Sequence, residues 1–118
     1  MMIAGIASAL SGIQAGGRML SVGANNIANA QTEGFKRTRA LPVESPAGGG
    51  VTVTLQRDER PGPQFLSGEN SFSLREGSNV DLGEEIISNL QAMNLIEANI
   101  ASLRIQDKVL GSLLDITE

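Results

Sequence analysis

Few side chains in this sequence could carry chemistry, and their kinds restrict what that chemistry could be. The 118 residues include no cysteine, histidine, tryptophan or tyrosine. That removes thiolate nucleophiles and metal ligands, the commonest general base, and the aromatic walls typical of small-ligand pockets. Carboxylates remain, and Glu84, Glu85 and Asp107 are the set closest to an acid–base or hydrolytic pattern. Asp107 falls about six turns from the acidic pair at ~3.6 residues per turn, so one straight helix cannot bring the three together. The pair has a simpler use. Asp81 precedes Glu84 by three residues, the spacing of an N-cap and capping box, and acids in a first turn complement the helix dipole. Lys36, Arg37 and Arg39 form a small basic cluster suited to salt bridges or a solvated face. Gly48-Gly49-Gly50 lacks the Gly-Lys-Ser/Thr that completes a phosphate loop. The formal charge of −4 argues against nucleic acid as a partner. No catalytic residue, metal, cofactor or small-molecule substrate is expected.

The elements that hold these residues are two long helical segments around a different middle. Residues 1–32 carry one charged side chain, Arg18. A helix wetted on one side would show several charges there, so this one is suited to contact on most of its faces. Ile3, Ile6, Leu10, Ile13, Gly17, Leu20, Ala24 and Ile27 recur at alternating steps of three and four, the spacing of a coiled-coil seam. Polar interruptions at Ser8, Ser11, Gln14 and Arg18 argue against a membrane span. No basic residue precedes the apolar stretch, against the pattern of a cleaved signal peptide. A second helix beginning near Asn79 repeats the spacing through Leu82, Ile86, Asn89, Met93, Ile96, Ile100, Leu103, Asp107, Leu110 and Leu114. Leu90, Leu95, Val109 and Leu113 widen its stripe.

Between the helices the chain turns and then reads as β structure. Asn25, Asn26 and Asn29 crowd the end of the first helix, and Thr32-Glu33-Gly34 reads as a turn with Gly34 free to take positive φ. Phe35, one of three aromatic residues, anchors it. Pro42, Pro46 and the glycine run read as a loop. Val51–Leu55 alternates with period two and is rich in β-branched residues, as a strand is. Phe65-Leu66 and Phe72-Ser73-Leu74 are short apolar pieces able to pair with that strand, with a turn at Ser67–Asn70. The expected fold is mainly α with a small β element: long terminal helices pairing coiled-coil-like, and a short antiparallel β-hairpin region between them. The expected divisions are 1–35 for the first helix and its Asn-rich turn, 36–78 for the loop and β region, and 79–118 for the second helix, within one structural domain.

Two blocks of sequence resemble a known family. Ala24-Asn25-Asn26-Ile27-Ala28-Asn29, followed by Thr32 and Gly34-Phe35-Lys36, is similar to the signature near the N-terminus of bacterial flagellar rod and hook proteins. Ser78-Asn79-Val80-Asp81-Leu82 is similar to the start of that family's C-terminal helix, and Glu97-Ala98-Asn99 and Leu113–Ile116 resemble later parts of it. Leu95-Ile96 stands where family members usually place an aromatic. The short middle resembles most a proximal rod protein of the FlgC type. The resemblance implies a structural subunit of the flagellar basal-body rod, exported through the flagellar apparatus and stacked helically with itself and with related rod or hook subunits. Asn25, Asn26, Ile27, Asn29, Thr32, Gly34, Phe35, Asn79, Asp81 and Asn99 form the implied assembly motif. The expected helix seams are Ile3, Ile6, Leu10, Ile13 and Leu20, with Ile86, Met93, Ile96, Ile100, Leu103, Leu110 and Leu114. Two other classes fit parts of the sequence: a cytoplasmic helical interaction or chaperone-like module, and a small carboxylate-dependent hydrolase.

Overall fold

The computed structural model describes residues 2–68 and 73–117. Its elements run α1 (Met2–Ala28), β1 (Thr38–Glu44), β2 (Val51–Arg57), β3 (Gln64–Ser67), β4 (Ser73–Glu76) and α2 (Leu82–Ile116). The molecule is a thin rod, with Cα extents of 83 × 24 × 14 Å. A cross-section that slender leaves almost no interior. Ala9, Ala15 and Ala92 are the only buried apolar residues among those described.

The two helices pair antiparallel through a line of small residues. Gly5 faces Gln106, Gly12 faces Asn99, Gly16 faces Ala92 and Ile96, and Gly23 faces Asn89. On α2 these positions form two columns seven residues apart, Glu85-Ala92-Asn99-Gln106 and Asn89-Ile96-Leu103. Seven-residue columns are the mark of a supercoiled pair. The period therefore agrees with the sequence, but the phase differs. On α1 the contact line is Gly5-Ala9-Gly12-Gly16-Gly23, one residue out of step with the expected Ile6-Leu10-Ile13-Gly17-Ala24. Removing Cβ lets the backbones approach, and a line of isoleucine and leucine would hold them apart.

The β region is two separate hairpins rather than one small sheet. β1 pairs with β2 and β3 with β4, both antiparallel, so the Phe65-Leu66 strand does not pair with Val51–Leu55. Glu69, Asn70 and Phe72 lie outside the described residues. The stretch around Pro42, expected as loop, is strand β1. Main-chain bonds from Asp58 N–H to Arg37 C=O and from Ser45 N–H to Gly50 C=O bracket the ladder. Bonded pairs alternate along an antiparallel ladder, so Pro42, opposite Val53, turns its missing N–H away from β2, where a proline is tolerated. The tip of this hairpin folds back on α1. Ser8 Oγ donates to Gly49 C=O at 2.8 Å, and Ser11 Oγ accepts from Val51 N–H at 3.0 Å. No helix among the described residues is long and apolar enough to cross a membrane.

Candidate functional site

Apart from Asn99, which lies midway along α2 opposite Gly12, the expected assembly motif gathers at the end of the rod where α1 stops and α2 starts. Asn26, buried to 1% exposure, sits at the last turn of α1. Its Nδ2 donates to Thr38 C=O at 2.8 Å and its Oδ1 accepts from Thr38 N–H at 3.0 Å. Thr38 lies at a non-bonded position of the β1–β2 ladder, so one side-chain amide completes the outer edge of β1 as a neighbouring strand would. Asn25 and Asn29 bond locally, Asn29 Nδ2 donating to Asn25 C=O, and Thr32 Oγ1 donates to Asn29 Oδ1. Gly34 has φ +69° and its N–H donates to Glu76 C=O at 2.9 Å, which ties the turn to β4. The positive φ agrees with the turn expected from sequence. Phe35 is half-buried, and its carbonyl accepts from Asn79 N–H.

Asn79 joins three passes of the chain. Its Oδ1 accepts from Arg37 N–H at 2.6 Å, and its Nδ2 donates to Asp58 C=O and Arg60 C=O at 2.8 and 2.9 Å. Asp81 then caps α2, its Oδ1 accepting from Glu84 N–H at 3.1 Å. The other half of a capping box does not form, because Glu84 turns to Arg37 instead.

Arg37 is the charged centre of this junction. Its side chain is 6% exposed and pairs with Glu84 and with Glu85, whose Oε1 lies 2.7 Å from Arg37 Nη2. Glu85 is itself buried. Both carboxylates considered for acid–base work are thus partners of one guanidinium, and Asp107 lies far along α2. Two further pairs surround the centre. Arg60 and Arg39 flank Asp58 and hold its carboxyl well below the usual carboxylate range, the bond from Arg60 contributing most. Lys36, followed by the Gly62 N–H, lowers Glu76 in the same way. The sequence reading named Arg37 in a salt-bridge cluster and Glu85 as a helix-start acid without joining the two, and it did not single out Asp58 or Glu76. A signal for the burial of Glu85 existed, since it heads the heptad column that continues through Ala92.

The expected seam residues divide between two places. Ile96 lies in the α1–α2 contact with Asn99, and Leu103 is half-buried in the same columns. The others do not line that contact. Ile3 is 83% exposed, Leu10 48%, Met93 47% and Ile86 54%; Ile100, Leu110 and Leu114 are exposed, and Ile6, Ile13 and Leu20 half-buried. Their direction is common to both helices. The β1–β2 hairpin covers the Ser8–Ser11 side of α1, and a groove of about 510 Å³ between β1 and α2 is lined on α2 by Ile87, Ser88 and Gln91. At about 100° per residue, Ile6, Leu10, Ile13, Leu20 and Ile27 lie on the flank of α1 away from the hairpin. Leu82, Ile86, Met93 and Ile100 lie on the same flank of α2. They make a largely apolar face along the rod, to which α1 contributes no charge and α2 adds Glu97 and Arg104 among the apolar residues.

Residues 6–36 match the family model described as "Flagella basal body rod protein". Over this segment the chain is similar to the flagellar basal-body rod family. The matched stretch ends two residues past Gly34 and holds the outward stripe of α1 from Ile6 on, Gly12, Gly16 and Gly23 of the helix contact, and the Asn-rich turn. No curated protein matches the chain. Asp58, Glu76, Glu84 and Glu85 of the junction are each paired with an arginine or lysine.

Proposed function

We propose that this protein is a structural subunit of the flagellar basal-body rod that assembles through the apolar face shared by α1 and α2. The observation that carries this reading is the inversion of the helix pair: apart from Ile96 and Leu103, small and polar residues lie between the helices, and most of the large apolar ones lie outside. Burial of apolar surface is the main driving force for association, and a single copy leaves most of that surface in water. Neighbouring copies, or related rod and hook subunits, cover it when they stack with the helices innermost. The short β region, with β3–β4 beyond the junction, keeps the subunit slender, which favours a proximal rod member of the FlgC type. On this reading the subunit leaves the cell interior through the flagellar export apparatus. Asn26, Gly34 and Asn79 have a positioning role, setting the angle at which the hairpins leave the helix pair.

The test is made in the cells that make the protein. Purified basal bodies should contain a tagged copy, and deletion of the gene should abolish motility until the gene is restored. A tagged protein that stays soluble in the cytoplasm of motile cells, bound to a helical client, would favour the chaperone-like alternative.

A further inference from the structure

The contact between α1 and α2 contains three amides on α2, each standing over a glycine of α1: Gln106 over Gly5, Asn99 over Gly12 and Asn89 over Gly23. A Cβ on any of these glycines would collide with the amide opposite. The amides are turned with care. Asn99 Nδ2 donates to Leu95 C=O at 2.7 Å and Gln106 Nε2 to Ser102 Oγ at 3.1 Å, so the N–H side of each is held by α2 itself. The buried Oδ1 of Asn89 and Oε1 of Gln106 have no hydrogen-bond partner. A buried acceptor without a donor weakens a contact, and an aliphatic residue would pack there without that defect. We propose that Asn89, Asn99 and Gln106 are positioning residues that fix the register of α1 on α2, at the expense of the strength of the pair.

The case for register is geometric. Sliding α1 by one heptad in one sense sets Asn99 against Met19, a full side chain in place of a glycine. Sliding it in the other sense carries the buried Glu85 carboxylate away from Arg37 and towards the same methionine. The glycines and amides, with the Arg37–Glu85 pair, therefore admit one alignment, as a single polar residue fixes the register of a coiled coil. The alignment matters because half of the outward apolar face is carried by each helix. A slipped pair would set Leu10 and Ile13 against the wrong residues of α2 and break the face into two offset stripes. This consequence rests on the assembly reading of that face; the register claim itself is tested without assembly.

The experiment uses the full chain, which has no native cysteine. Spin labels at cysteines replacing the exposed Gln14 and Ala98 report the separation of the two helices in dilute solution. The parent should give one narrow distance distribution. Asn89→Ala, Asn99→Ala and Gln106→Ala combined should keep the helical content and raise the melting temperature, yet give a broad or multiple distribution. Asn99→Ala alone should broaden it less. One narrow distance in the triple variant would overturn the proposal. So would loss of helix in the triple or the single variant, which would make the amides stabilising contacts rather than register keys. Failure of the assembly reading leaves these distances unchanged and shows instead as a subunit absent from basal bodies.

Discussion

Along the line where α1 meets α2 the residues are Gly5, Ala9, Gly12, Gly16 and Gly23 against Glu85, Asn89, Ala92, Asn99 and Gln106, whereas the flank beside it carries Leu10, Ile13, Leu20, Ile86, Met93 and Ile100. A soluble helix pair usually shows the opposite arrangement, with its large apolar stripe turned inwards. The inner line gives close approach and a defined alignment but little burial. The outer flank holds the apolar area and, in one copy, leaves it exposed. On the proposed assembly the two regions divide the work: one sets shape, and the other supplies the affinity for neighbours. Substitutions in them should therefore fail in different ways, inner ones in the stability or alignment of the free subunit and outer ones in assembly.

The largest effect is expected at the charged end of the inner line. Arg37→Ala leaves Glu85 buried without its partner, and breaking such a pair costs about 3–5 kcal/mol. Urea unfolding of the free subunit checks this; a loss below 1 kcal/mol would mean that Glu85 is solvated. Gly16 and Gly17 are neighbours in sequence on opposite sides of the comparison. A Cβ at Gly16 meets Ile96 and the Ala92 carbonyl, and one at Gly17 meets nothing. Gly16→Ala should destabilise by roughly 1–3 kcal/mol through overpacking. Gly17→Ala should stabilise by up to about 1 kcal/mol through helix propensity. Equal shifts in their melting temperatures would remove the distinction between the two faces.

Gly34→Val tests the junction apart from either face. The site is open around Gly34, so the cost arises from φ +69° alone and should be about 1–2 kcal/mol. Glu33→Ala removes an exposed pair with Arg75, a change worth at most about 1 kcal/mol. Thermal unfolding that ranks the two the other way would contradict the turn. The smallest effect is that of acid. Asp58 and Glu76 have lowered carboxyl pKa values in the folded chain. Their contribution is complete above the ordinary carboxylate range of about 4 and is lost as pH falls through the folded values. Carboxyl NMR titration should show both protonating below the ordinary carboxylate range, and the junction loosening with them.

Much of this was legible in the sequence. Composition and heptad spacing gave both long helices, the apolar alternation gave β2, and Asp81 gave the start of α2. The phase of the helix contact was hidden because the usual rule assigns large apolar residues to the buried side, and here glycines and amides take it. β1 was hidden by Pro42, which reads as a loop residue until the alternation of the ladder shows its nitrogen facing outwards. Asn79 and Asn26 were noted as motif residues, but their use as side-chain bridges depends on contacts 12 to 42 residues distant, which no local pattern reveals.

The outward face itself is tested most directly by placing a charge where it cannot disturb the fold of one copy. Leu10 is exposed on that flank and Ala98 is exposed off it. Leu10→Glu and Ala98→Glu should both be made, exported and melt close to the parent, because neither buries the new carboxylate in the free subunit. In cells lacking the native protein, quantifying each variant in purified basal bodies should find Ala98→Glu present and Leu10→Glu absent. Incorporation of Leu10→Glu at the level of Ala98→Glu would contradict the assignment of this face to assembly.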